Sequence, residues 1–410
     1  MFRDNKMHSS DIEDQVNKFW AARFRFVSDS EREMFERILS EGDPGDFVSP
    51  SEDVPVAAKR FVCHLDTGFL DCFLRGMFPR FDSIRDRLPP RVRFLAYFCL
   101  SRRRSLKAAH RSLEPEDFLR MGFEKIPNYE LLRAFVYEYI GEEKLQTVFG
   151  LIIQEVARLL KKQGIMLGQR VGEDATDVPA LKHDPEADYS GYYKEIGYKV
   201  DIVHDLDQET LPLDYTLLNI NDDEGKCLPT AMKNLRSKGM RPEENKVDGK
   251  YATYQNIAFS ETNNIHLVYR IQESWKHNKK GTPREIKRRY QKYHKEPDFK
   301  PTNDTRHMLT YLNKKGDHKY VGAYYRNQAM ERYNTDKEKY LSQCNERSAK
   351  TEGTMATIKT ETILGTRPQK RGWKAFTLTT HISMLAFAFA ALTRTQNQDT
   401  QHLGNLTYIT

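Results

Sequence analysis

Residues 170–184 read RVGEDATDVPALKHD, a strand-like run that carries Asp174 and is followed by a small threonine-containing turn and Pro179. A carboxylate just past such a run is either a solvated turn residue or one ligand of a metal site completed from elsewhere in the chain. The stretch alone does not choose, but its surroundings set the fold class. Downstream, YKVDIVHDLD (198–207) and LPLDYTLLNIND (211–222) are β-branched and aromatic runs separated by a short polar turn, which predicts paired strands. DDEGKCLPTAMKNLRSKGMRP (222–242) has helical spacing and stops at Gly239 and Pro242. NKVDGKY (245–251) and NIHLVYRIQ (264–272) are strand-like again. The order from 166 to 272 is strand, hairpin, helix, strand, helix, strand, a mixed α/β layer.

Upstream, from Asp11 to about Lys162, apolar residues recur at spacings of three and four, as in YELLRAFVYEYIGEEKLQTVFGLIIQEVARLLKK (129–162), which predicts a helical region. Pro89, Pro90 and Pro127 are expected to break it. Beyond Gln272 the chain turns basic, ESWKHNKKGTPREIKRRYQKYHKEPDFKP (273–301). Such a run is either a solvated insertion or a groove lining that follows a phosphate backbone, with Trp275, Tyr290 and Tyr293 available for stacking. Helical spacing returns in YLSQCNERSAKTEGTMATIKTETI (340–363). ISMLAFAFAAL (382–392) is shorter than a bilayer span and predicts a buried helix.

The composition, 39% hydrophobic and 30% charged over 410 residues, suits a soluble globular chain with room for a sizeable core. Lys and Arg outnumber Asp and Glu, 65 to 58, which favours a polyanionic partner without requiring one. Five cysteines without a C-x-x-C pair suit reduced thiols, and the first twenty residues lack the apolar segment of an export signal, so a cytoplasmic location with no membrane partner is expected. Cys63, His64 and Cys72 lie near one another without a fourth zinc ligand at a recognised spacing.

Three acids sit where two-metal phosphodiester chemistry would need them: Asp174 at the end of the first strand-like run, Asp248 at the end of NKVDGKY, and Glu352 on the helix AKTEGTMATIK (349–359). Such chemistry uses two divalent ions about 4 Å apart, and magnesium takes a few carboxylates plus water and phosphate oxygens. At these residues the chain resembles the insertion-sequence DDE transposases of the IS-four-like group, in the ribonuclease H-like superfamily. EDATDVPA (173–180) is similar to the family's first-aspartate block, VDGKYATYQN (247–256) to its second, and ERSAKTEGTMATIK (346–359) to its third, where an arginine precedes the glutamate and a lysine follows it. Two departures stand out: Gly249 follows the second acid where the family places a glycine just before the aromatic residue, and Arg347 precedes Glu352 by five residues rather than four. The second departure leaves Glu346 as a weaker candidate for the third acid, as Asp177 is for the first.

The resemblance implies an α/β ribonuclease H-like catalytic core at 166–271 and 320–395, a helical N-terminal region at 1–165 for DNA-end recognition, a basic insertion at 272–319 before the last acid, and a tail at 396–410. It implies Asp174, Asp248 and Glu352 as catalytic magnesium ligands, with manganese as a substitute. It also implies DNA contacts from Arg347, Lys359, Trp275, Lys287, Arg288 and Arg289. The substrates would be terminal inverted repeats and target DNA, handled by a homodimer at the DNA ends in a prokaryotic, nucleoid-associated setting. The alternative is a transposase-derived DNA-binding protein that has lost its chemistry, and a ribonuclease H-like nuclease that cuts without joining is a third reading. Replacing Lys287, Arg288 and Arg289 with Gln is expected to weaken DNA binding and flatten its salt dependence by about one unit of slope per lost phosphate contact. Binding titrations over a salt series check this; an unchanged slope returns the segment to a solvated loop.

Overall fold

The β-branched runs assemble into one six-stranded sheet, and its connections explain where the acids fall. The computed structural model describes residues 54–77, 88–192, 194–208, 211–270, 310–312, 318–320, 335–365, 371–400 and 403–406. Helices come first: α1 (Val54–Cys63), α2 (Gly68–Met77), α3 (Leu88–Leu100), α4 (Leu106–Arg111), α5 (Pro115–Arg120), α6 (Tyr129–Ala134) and α7 (Leu145–Lys162). Pro89 and Pro90 do not interrupt a helix as expected; they occupy the first turn of α3, where a missing N–H costs nothing. Pro127 does stand at a break, just ahead of Asn128, whose side chain caps α6. In α7 the buried residues Leu145, Val148, Phe149, Ile152, Ile153, Val156 and Leu160 form the apolar stripe that the spacing predicts.

The sheet strands are β1 (Arg170–Pro179), β2 (Asp188–Ser190), β3 (Glu195–Asp205), β4 (Pro212–Asn219), β5 (Glu244–Val247) and β6 (His266–Tyr269). β3 pairs antiparallel with β1 on one edge and with β2 and β4 on the other. After β4 the helix α8 (Leu228–Ser237) carries the chain past β3 and β1, so that β5 joins β1 in parallel, and α9 (Tyr254–Thr262) leads to β6, parallel to β5. Parallel neighbours need such crossovers, whereas the antiparallel strands need only turns. β1 thus lies in mid-sheet, paired on both edges. Asp174 is not at the end of this strand, as the sequence suggests, but in its middle, because Ala175 and Thr176 go on pairing with Asp201 and Val200.

A separate antiparallel pair, β7 (Thr310–Leu312) and β8 (His318–Tyr320), precedes the last two long helices, α10 (Lys337–Glu361) and α11 (Trp373–Gln396). The apolar run 382–392 is the centre of α11, which by length and composition alone could cross a membrane. Here it is buried from Thr380 to Thr395 and packs along α3, α7 and β4. The hydroxyls of Thr379, Thr380, Thr393 and Thr395 turn back on the helix and donate to the carbonyls four residues earlier, so they need no outside partner. One apolar core runs from Ala58 to Leu406 and includes residues of both the helices and the sheet.

The helix α10 lies on the sheet at a close approach that only glycine permits. A Cβ on Gly172 would sit 2.5 Å from His204 Nε2 and 2.9 Å from Thr351 Oγ1. His204 Nδ1 lies 3.1 Å from the Asp205 carbonyl and Nε2 lies 3.1 Å from the Thr351 hydroxyl. These partners assign the tautomer: Nδ1–H donates to the carbonyl and Nε2 accepts from Thr351. Burial pushes the imidazole down to about 4, so the ring is neutral at physiological pH. Gly172→Ala is expected to destabilise the fold by about 1–3 kcal/mol through this overlap. Gly150→Ala, within α7 and with its nearest outside neighbour at 3.5 Å, should instead stabilise by about 0.5–1 kcal/mol. Denaturant titrations of the two variants check the opposite signs.

Candidate active site

The parallel register of β1 and β5 ends at Glu173 and Val247, so Asp174 and Asp248 are the next residues on neighbouring strands. Asp248 stops the strand: its Oδ1 accepts the Gly249 N–H at 2.7 Å and caps the 3₁₀ turn Gly249–Tyr251. Asp174 Oδ1 accepts the Ala175 N–H at 2.9 Å, while Oδ2 accepts from the Arg347 guanidinium at 2.5 Å. Burial raises the Asp174 carboxyl above its usual range; Arg347 opposes this, and the negative charges of Asp248 and Glu224 add to it. A positive charge is therefore what this site lacks most, and Arg347 supplies one.

Helix α10 presents its residues to the sheet in a fixed phase. Cys344, Thr351, Thr354, Met355 and Ile358 are buried. Glu352 follows Thr351 by about 100° around the helix and is exposed. It shares a stripe with Lys359, two turns on, whose Nζ donates to Asp177 of β1 at 2.9 Å. Glu346 faces the other way, bonded to Arg170, the first residue of β1, at 2.8 Å and to Lys246 of β5. Although burial opposes it, those two cations hold the Glu346 carboxyl down at about 2, which marks it as an ion-pair partner of the fold. The structure thus brings Asp174, Asp248 and Arg347 together and sets Glu352 on an exposed flank of α10. Among the described residues no three His, Cys, Asp or Glu side chains converge on one point. Trp275, Lys287, Arg288 and Arg289 lie outside the described residues.

The opposite face of the same strands holds a second set of acids that the sequence reading did not single out. Glu173, next to Asp174 and so pointing the other way, accepts the Asn245 side-chain N–H at 2.8 Å. Asp201 of β3 accepts the Tyr251 hydroxyl. Glu173 Oε1 and Asp201 Oδ2 are buried without a hydrogen-bond partner among the described residues. Burial, and then the charge of Asp201, raises Glu173 well above the usual carboxylate range; burial pushes Asp201 up to about 8. A proton is therefore retained behind the acid pair at neutral pH. The sequence signal for it is one acid on the same face of each of two paired strands, Glu173 of β1 and Asp201 of β3.

A polar rim closes the carboxyl end of the sheet. Glu224 pairs with Lys199 at 2.7 Å and with Lys250 at 3.2 Å, and Lys199 also donates to the Asp222 carbonyl. Asp223 caps the 3₁₀ turn Glu224–Lys226 just before α8.

No family model matches the sequence, and no curated protein matches it. Among solved structures, the chain is similar to a piggyBac transposase in a cryo-EM synaptic complex with hairpin DNA, at 11% identity and a TM-score of 0.34, over 87% of this chain and 81% of that one.

The fold favours the protonated form of Asp201, so the stability this group contributes is whole below its unfolded value of about 3.9 and is lost as pH rises through about 8. Asp201→Asn keeps an acceptor for Tyr251 and removes the ionisation. Thermal melts from about pH 5 to about pH 8 should show the variant gaining steadily on the unsubstituted protein. A difference that stays constant across that range would show that Asp201 does not carry the proton.

Proposed function

We propose that this chain is a metal-dependent DNA transposase of the insertion-sequence DDE kind, with a ribonuclease H-like core. It would bind terminal inverted repeats as a homodimer, hydrolyse a phosphodiester to expose a 3′ hydroxyl, and join that hydroxyl to target DNA. The observation that carries the reading is the placement of Asp174 on β1 beside Asp248, the residue that directly follows the parallel strand β5, with α10 packed over the two strands. Two of the three acids that the resemblance implies, Asp174 and Asp248, support the reading; Glu352 stands on the exposed flank of α10.

The donor set fits a hard dication. Two carboxylates lie side by side, one of them half-buried and already drawing a cation, and magnesium asks for a few carboxylates while keeping its water and phosphate oxygens. Asp174 and Asp248 would hold the ion, joined by Glu352 from the flank of α10. Bound magnesium, or manganese in its place, would activate the attacking oxygen and neutralise the leaving one. The chain's own part is positioning and charge. Arg347, released from Asp174 by the arriving cation, would turn to a phosphate oxygen, and Lys359 would neutralise the backbone two helical turns along. The ribonuclease H-like core would serve as the rigid floor, since Asp174 pairs with Ile202 of β3 and directly follows the β1 residues that pair with β5.

Asp174→Ala, Asp248→Ala and Glu352→Ala are each expected to abolish strand cleavage of DNA carrying the element's ends, while binding to that DNA remains near its original strength. A second readout is independent of turnover. Magnesium or manganese should raise the melting temperature of the unsubstituted protein, and Asp174→Asn or Asp248→Asn should remove that gain. Cleavage that survives a substitution takes that residue out of the site. A melting temperature indifferent to the ion in the unsubstituted protein overturns the metal reading and leaves a DNA-binding protein without the chemistry.

A further inference from the structure

Asp248 follows the last residue of β5, and what comes next in the chain fixes its place. Its Oδ1 is committed to the Gly249 N–H, so the aim of the carboxylate follows the turn Gly249–Tyr251. That turn is held at Tyr251, one of the largest fully buried side chains. The Tyr251 backbone carbonyl accepts the Asn256 side-chain N–H at 2.8 Å, and the same nitrogen donates to the Gly225 carbonyl at 2.6 Å. At its other end the Tyr251 hydroxyl donates to Asp201 Oδ1. Asp201 lies opposite Ala175 on β3, which borders β1 on the edge away from β5. A side chain from the end of β5 thus crosses the buried face of β1, behind Asp174, and bonds to the strand beyond. On the same face Asn245 of β5 donates to Glu173 of β1 at 2.8 Å. The two cross-links differ in what they hold. Asn245 joins strands that the backbone register already joins, whereas Tyr251 ties down a turn that lies past the end of the ladder.

A buried acid whose second oxygen has no hydrogen-bond partner among the described residues is a costly acceptor for a phenol. An apolar pair of similar volume would fill the space and stabilise the fold at least as well, but it would give the ring no direction. We propose that Tyr251 is a positioning residue for Asp248, and that its hydrogen bond to Asp201 beneath β1 sets the turn at the angle from which Asp248 shares a divalent ion with Asp174. The inference rests on the metal-binding reading above and adds to it the chain's own means of aiming the second acid. Tyr251 is fully buried and touches neither ion nor DNA; it acts through the short backbone turn that separates it from Asp248. Groups that hold a metal ligand in place from behind govern affinity for the ion by about tenfold to a hundredfold. Asp201 has the other half of the role, as acceptor. It needs no charge for this, so an amide at that position serves equally.

The test uses the full chain without DNA. It reads bound manganese from the loss of the free ion's electron paramagnetic resonance signal, beside metal-free thermal melts of the same samples. The variants are Tyr251→Phe, Asp201→Asn, Asp201→Leu, and Tyr251→Phe combined with Asp201→Leu. Tyr251→Phe and Asp201→Leu should each weaken manganese binding by about tenfold, while Asp201→Asn, which keeps the acceptor, should leave it within about twofold. The combined variant should melt higher than either of its single parents, because the hydroxyl and the carboxyl are gone together, yet should bind manganese as weakly as they do. The positioning role is overturned if Tyr251→Phe binds manganese as the unsubstituted protein does. It is overturned too if manganese binding returns with stability in the combined variant, which would make the pair a support of the fold and nothing more. If the unsubstituted protein binds no manganese, the metal reading falls and the positioning role with it. If it binds manganese and Tyr251→Phe binds equally well, the metal reading stands and only the positioning role falls.

Discussion

The parallel hydrogen bonding of β1 to β5 is the constraint on which the site depends. Four residues of β1, Arg170 to Glu173, run in step with Glu244 to Val247, and the two aspartates follow at the next position on each strand. Neither acid has a long side chain with which to seek the other, so the backbone register brings them together. The register depends in turn on the crossover through α8, which returns the chain on the far side of β1. The antiparallel pairing of β3 on the other edge then keeps β1 from shifting, since a slip by one residue would turn Asp174 into the core and Glu173 out.

That alternation sets the electrostatics. Consecutive acids on one strand face opposite sides of the sheet, and each side deals with its charge differently. In front, Asp174 is paired with Arg347, a cation brought by α10. Behind, Glu173 and Asp201 have no cation beside them among the described residues and retain a proton, because an ionised pair in that core would be repelled and undersolvated together. The front face is therefore ready to exchange one cation for another, and the back face stays neutral while it does so. The neutral His204, wedged between Gly172 and Thr351, holds α10 at the distance that lets Arg347 reach Asp174.

Around this centre, charged residues that sequence reasoning would assign to DNA are already engaged within the fold. Lys359 is bonded to Asp177, and Arg347 to Asp174. Contact with a phosphate would be an exchange of partners, not the filling of a free donor, which makes binding of an anion and binding of a cation at the acid pair mutually supporting. The rim at Glu224, Lys199 and Lys250 has the same character, with one carboxylate shared by two lysines.

Much of the fold was determined by local pattern. The three-and-four spacing of α7, the β-branched runs of β3 and β4, the helical α8 that stops at Gly239, and the buried apolar centre of α11 all follow from period and composition, because each element must hide one face or all of itself from water. Asp174 and Asp248 were also legible as acids at strand-like positions. The sequence could not supply partners: that Asp174 lies in mid-strand, that Glu346 turns from the acid pair toward Arg170 and Lys246, that Glu352 stands on a flank, or that Glu173 and Asp201 share a buried face. Those are matters of register, helix phase and crossover, which join residues as far as 176 positions apart. Local sequence sets which way a side chain points from its own element, and only the packing of whole elements decides what it meets.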